Sequence, residues 1–200
     1  MPDDGARGMH RMDEDAGYTI IEVLVAILVL ALGLIGGAAM QLTALRTRHQ
    51  SALLSHAVQL ASGMADRMRL NAAQMRLDDA GNPYLNQHYD SAVDGEPAPP
   101  GQLCLGASAC DEAQLARFDL YELKQQLHRV LPGGRLAICR DTRLWDKGRK
   151  GYGWSCSGAA DAPVVIKLGW RGKNPDGSPA IDVTREYTPG VVLALAGEAK

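Results

Sequence analysis

Twenty-three acids, 21 bases, five histidines and four cysteines supply the reactive groups of this 200-residue chain. Their spacing argues against catalysis. His10, His49, His56, His88 and His128 are scattered; His49 and His56, seven apart, share a face if that stretch is helical, where solvent or packing roles suffice. There is no phosphate loop, no Gly-x-Ser-x-Gly and no His-Glu-x-x-His. The acid pairs Asp78-Asp79 and Asp111-Glu112 fall where loops or helices would begin, and capping accounts for them. Cys104 and Cys110 flank five residues, Cys139 and Cys156 sixteen, without a Cys-x-x-Cys or a histidine at zinc-ligand spacing. No metal, cofactor or catalytic residue is expected.

Two groups keep a chemical reading. Arg140, Arg143, Lys147, Arg149 and Lys150 lie beside Trp145, Tyr152 and Trp154. Bases interleaved with aromatics can hold single-stranded nucleic acid by charge and stacking. Asp141 and Asp146 dilute the run, and a solvated hairpin loop whose charges protect strand edges explains it as well, so a nucleic-acid partner is disfavoured. The second group is a single carboxylate. Glu22 sits just inside an apolar run, and residues 23–40 carry no charge. An acid there costs roughly 2.5–3.5 kcal/mol at mid-bilayer, which marks it as functional.

The element that must carry Glu22 is a helix. From Ile20 to Met40 it would span about 32 Å, the hydrocarbon thickness of a bilayer. The pattern then continues as Leu42, Leu45, Leu53, Leu60, Met64, Met68 and Met75, one apolar stripe, with Arg46, Arg48, Gln50, Gln59, Asp66, Arg67 and Arg69 opposite. No proline occurs between residues 18 and 82. One helix from Tyr18 to about Leu77 would be roughly 90 Å long, its second half laying a stripe on a globular domain. Gly33, Gly36 and Gly37 are its weak points.

Gly17 followed by Tyr18-Thr19-Ile20-Ile21-Glu22-Val23 resembles the signal of type IV prepilins and pseudopilins, commonly Gly-Phe-Thr-Leu-Ile-Glu. The resemblance implies cleavage after Gly17 by a prepilin peptidase, N-methylation of Tyr18, and a role for Glu22 in assembly. Two plainer readings compete: a secretory signal peptide cut near Ala38-Ala39-Met40, and an unprocessed anchor. The first would need a basic n-region and an apolar run of about 7–15 residues; the second gives Glu22 no purpose. The run Met64–Ala72 (MADRMRLNA) is similar to the segment after the membrane helix in PilV-type minor pilins, and Asp119–Gly134 (DLYELKQQLHRVLPGG) to their second helix and glycine turn.

The expected division is a leader over 1–17, a transmembrane and assembly helix over 18–40, an amphipathic half over 41–77 and a globular head over 78–200. The leader holds two Arg and five acids, so its removal leaves 19 bases against 18 acids. An even cysteine count in an exported head reads as disulfides, paired locally as 104–110 and 139–156, although three connectivities exist. Residues 78–110, rich in Gly, Pro, Asn and Asp, read as loop. Asp119 and Glu122 form a capping box opening a helix with Leu120, Leu123, Leu127 and Val130 on one stripe, ended by Pro132-Gly133-Gly134.

Val164 to Trp170 alternates like a half-buried strand, with Lys167 and Gly169 on the solvent face. Residues 135–139, 152–156, 181–187 and 191–196 are further short strands, and Asn174-Pro175-Asp176-Gly177 turns 164–171 back on 181–187. The fold class is α+β, a pilin-like long helix packed along Leu45–Met75 on an antiparallel sheet.

The resemblance implies a minor pilin, entering a type IV pilus near its tip and priming assembly. A minor pseudopilin of a type II secretion system is the near alternative, and a pilin-like adhesin or DNA-binding subunit the distant one. Implied partners are other minor pilins, the major pilin, the inner-membrane assembly platform, the peptidase and membrane lipid. The implied location is a single pass in the inner membrane with the head in the periplasm, then the extracellular pilus.

Overall fold

The structure, a computed structural model, describes residues 18–106, 108–174, 176–182 and 185–195. The expected leader over 1–17, with Gly17 at its end, and Pro175 and Ala196 lie outside them. The chain divides into two compact units, Met1–Leu42 and Thr43–Lys200.

Helix α1 runs from Ile20 to Leu70. Thr19 starts it: its Oγ1 accepts from the Glu22 N–H at 3.3 Å, and its carbonyl accepts from Glu22 and Val23. Glu22 thus lies in the first turn, where a carboxylate suits the helix dipole. Residues 18–45 are all exposed, and the most apolar 18-residue window of α1 has a mean hydropathy of 2.7. Gly33, Gly36 and Gly37 do not interrupt the helix.

Within the second unit, α1 buries Leu53, Ala57, Ala61, Met64, Ala65 and Met68. That corrects the expected stripe. Leu42 and Leu45 are exposed, while Leu60 and Met75 only flank the core. Alanines at 57, 61 and 65 are almost fully buried and belong to the core cluster. A leucine-led periodicity overlooks them. The helix also stops short of Leu77. Asn71, at φ −91° and ψ 55°, leaves helical geometry, and its buried Nδ2 donates to the Glu112 carbonyl at 2.8 Å and to the Tyr84 hydroxyl at 3.3 Å. A short helix α2 (Ala72–Met75) follows.

Helix α3 (Glu112–Val130) begins earlier than expected. Its capping box is Asp111 with Gln114, each side chain meeting the other's backbone N–H. Asp119 and Glu122 lie mid-helix instead, and Asp119 is buried. Past Leu131 the chain turns sharply. Gly133 has φ +56°, and a Cβ on Gly134 would collide with Leu127 Cδ2.

The main sheet is antiparallel, in the order β1-β2-β5-β6: β1 Gln87–Asp90, β2 Arg135–Arg140, β5 Val164–Gly169 and β6 Val191–Ala194. Strand β1 occupies part of what composition reads as loop, its four residues too few to show alternation among Gly, Pro and Asn. Strand β5 pairs with β6 rather than with 181–187, whose described residues form no strand. Near Asn174 only an isolated bridge, Lys173 to Pro179, forms. The two-residue strands β3 (Trp145–Asp146) and β4 (Gly151–Tyr152) make a small hairpin, so the expected strand over 152–156 is reduced to its first residue.

One face of the sheet (Leu136, Ile138, Val164, Ile166 and Leu168) joins Tyr84, Tyr89, Leu120, Leu123, Leu127 and the α1 alanines in the core. The other face is buried too. All six residues of β5 are inaccessible, Lys167 included, contrary to the half-exposed strand that alternation predicts.

Candidate functional site

Lys167 is 0 % exposed because the segment after β2 folds back across it. Its Nζ donates to Asp141 Oδ2 at 2.6 Å, the Ser155 carbonyl at 2.7 Å and the Gly153 carbonyl at 2.8 Å. Three donors meet three acceptors, the condition for burying an ammonium. Burial works to raise the Asp141 carboxyl. The hydrogen bond from Lys167, the N–H groups of Arg143 and Ser157, and the attraction of the Lys167 charge outweigh it and hold the pKa below the usual range. Cys139 and Cys156 are joined across the base of this segment, and Cys104 is joined to Cys110.

The basic run therefore does two different things. Arg140 is engaged by Asp79 at 2.7 Å and by the Ala162 carbonyl, and Arg149 by Glu186 at 2.8 Å and Asp182 at 3.3 Å. Glu186 above all, by hydrogen bond and charge, raises the Arg149 pKa against a smaller burial effect. Trp145 meets Tyr152 edge-on at 5.6 Å, and Trp154 donates Nε1–H to the Tyr187 carbonyl beneath the Arg135 guanidinium. Arg143, Lys147 and Lys150 remain exposed. Arg140 and Arg149 are tied into ion pairs and Trp154 is packed against protein, while Trp145 and Tyr152 contact each other and stay exposed. His49, His56 and His88 are exposed, while His128 Nδ1 lies 3.2 Å from the Tyr89 hydroxyl. Among the described residues no cluster of His, Cys, Asp and Glu could hold a metal ion.

A second polar knot links α1 to α3. Arg67 Nη1 donates to Asp119 Oδ1 at 3.0 Å and also to Glu122, and Tyr84 donates its hydroxyl hydrogen to Asp119 Oδ2 at 2.6 Å. Burial, reinforced by that bond, pushes the Tyr84 hydroxyl pKa well up. Burial opposes the Arg67 charge, but Glu122 and Asp119 more than offset it and its pKa rises. Capping explained Asp119 and Glu122 locally; their real partner lies 52 and 55 residues away. The available signal was slight: Arg67 adjoins Met68 and Asp119 lies between Phe118 and Leu120, so each charge has apolar neighbours in sequence.

Residues 12–38 match the prokaryotic N-terminal methylation motif, and residues 39–121 match the Tt1218-like family, described as type IV pilin Tt1218. Together the two matches support a type IV pilin. No curated protein and no solved structure matches it. The pilin match ends inside α3 and takes in both ends of the Arg67–Asp119 bond. The methylation motif implies processing by a prepilin peptidase and assembly with other pilins, and with the apolar helix it fits a membrane-anchored pilin that later enters a pilus. The family is structural rather than enzymatic. Of the residues expected to serve processing and assembly, Tyr18 and Glu22 stand exposed at the start of α1, and Gly17 lies outside the described residues.

Proposed function

We propose that this pilin is a minor subunit of PilV type, incorporated at or near the pilus tip and helping to prime assembly. In this reading the peptidase cuts after Gly17 and methylates Tyr18. Residues 18–40 cross the inner membrane once with the head in the periplasm, and Glu22 meets the N-terminus of a neighbouring subunit during docking. Residues 41–77 carry the head over 78–200. Its partners are other minor pilins, the major pilin and the assembly platform.

The observation that supports this reading best is the Arg67 knot. The two stretches that resemble PilV-type pilins, Met64–Ala72 and Asp119–Gly134, meet through Arg67, Asp119 and Glu122. The pairing gives both stretches one structural purpose. A nucleic-acid or adhesin role is disfavoured because Arg140 and Arg149 already have acidic partners.

The test is quantitative mass spectrometry of sheared filaments and of membranes from the native host. The expected result is N-methylated Tyr18, a copy number far below that of the major pilin, and few filaments on deletion of the gene. Equal abundance with the major filament protein would overturn the minor assignment. Co-purification only with secretion pseudopilins, with piliation intact after deletion, would establish the pseudopilin alternative. Cleavage near Ala39 would overturn the whole reading.

A further inference from the structure

The two edges of the main sheet are finished differently. At β1 the edge is closed by its own chain. The Asp90 N–H is taken by Asp94 Oδ2 at 2.7 Å, and the Asp90 carbonyl accepts from the N–H groups of Val93 and Asp94 at 2.9 and 2.8 Å. Asn86, at φ +54°, turns the backbone out of strand geometry before Gln87. Of this strand, only His88 keeps an outward-facing N–H and C=O.

Strand β6 has none of these devices. The Leu195 N–H bonds to the Val164 carbonyl at 2.8 Å, and the register pairs Ile166 with Leu193 and Val165 with Ala194. By antiparallel alternation Val191, Leu193 and Leu195 bond inward to β5, whereas Val192 and Ala194 direct N–H and C=O away from the sheet. Among the described residues no hydrogen bond outside the β5 ladder involves either residue. Val191, Leu193 and Leu195 pack on the core; Val192 is half-buried and Ala194 exposed. From Thr188 to Gly197 the sequence has no charge, so the edge carries no Lys or Glu to repel another strand.

We infer that the β6 edge docks an extended, uncharged segment of a different pilin subunit, which adds a strand beside Val192–Ala194. Unpaired backbone groups in strand geometry recognise another extended backbone, and an edge without charged side chains sets an uncharged segment beside uncharged surface with no charge to desolvate. A second copy fits less well. Antiparallel β6–β6 pairing closes on a two-fold axis and uses both edges, while a growing filament needs a head-to-tail contact. The inference rests on the filament-subunit reading above.

The test uses the full chain in its native host. Val192→Pro removes an outward N–H that makes no bond to β5, and edge strands tolerate proline there. Ala194→Lys places a charge on the exposed edge. Both should lower the amount in sheared filaments, relative to the membrane pool, by about fivefold or more, equivalent to roughly 1 kcal/mol of docking. The unfolding temperature of each variant is checked in parallel, and Ala194→Lys, at an exposed position, decides the matter if proline destabilises the head. With p-benzoylphenylalanine in place of Ala194, irradiation should give an adduct with an uncharged segment of another pilin. Wild-type incorporation of both variants, no adduct, or an adduct only with a second copy would each overturn the inference. Absence of the wild-type chain from filaments would refute the filament reading itself, and this partner with it.

Discussion

Replacing Lys167 by Met tests the buried pair most directly. Methionine, unbranched and one atom shorter, nearly keeps the length of the side chain and removes its three donors. Asp141, 1 % exposed, is left as an unpaired carboxylate, and the Gly153 and Ser155 carbonyls lose a partner. Breaking a buried pair from one side costs about 3–5 kcal/mol. In a unit of this size each kcal/mol lowers the melting temperature by roughly 2–4 °C, so the expected loss is about 6–20 °C. The double variant Lys167→Met/Asp141→Asn should lose less than the sum of the two singles, by about 1–3 kcal/mol. No charge is stranded in it, and the amide oxygen that replaces the carboxylate still accepts from the Arg143 and Ser157 N–H groups.

The same pair sets a pH dependence. The Asp141 carboxyl lies lower in the folded chain than in the unfolded one. Its stabilisation is therefore full above the unfolded value of about 3.9 and disappears as pH falls through the lower folded value. In Lys167→Met the unpaired carboxyl takes up its proton at higher pH, so the gap to wild type should narrow on acidification. The assay is near-ultraviolet circular dichroism of the full chain in detergent, disulfides intact, scanned thermally at pH 7 and near pH 3. A variant melting within about 2 °C of wild type at pH 7, or strict additivity in the double variant, would refute the reasoning.

Four further outcomes are expected. Arg67→Ala strands Asp119 but is screened by solvent, since the Arg67 side chain is 40 % exposed, so its cost should be about 1–3 kcal/mol by thermal unfolding, below that of Lys167→Met. Gly134→Ala forces a Cβ into Leu127 Cδ2 and should destabilise by about 1–3 kcal/mol in the same assay. Cys139→Ser/Cys156→Ser opens a loop of sequence separation 17 and should cost about 3 kcal/mol, read by chemical denaturation of the full chain in detergent. Glu22→Gln should leave cleavage and membrane level unchanged while lowering filament incorporation, measured by quantitative immunoblot of sheared pili; wild-type incorporation would remove the charge from assembly.

Sequence by itself determined whatever depends on neighbours along the chain. An uncharged run of bilayer length, an unbroken proline-free stretch, apolar recurrence on Leu53, Met64 and Met68, and alternation over 164–169 follow from local geometry and the transfer of apolar surface. The α+β class followed from these. Only tertiary structure decided which face a charged residue occupies. Lys167 reads as solvent-facing because alternation assumes one wet face, yet residues 141–157, bound at Cys139–Cys156, cover that face and supply three acceptors. Asp119 and Glu122 read as a cap because Arg67 lies far away in sequence, and Asn71 ends a helix through bonds to Glu112 and Tyr84 that no local pattern encodes. Burying a charge or an amide is costly alone and tolerable once partners are in place. Where those partners come from distant segments, the fold must bring them together before the role of the residue is defined.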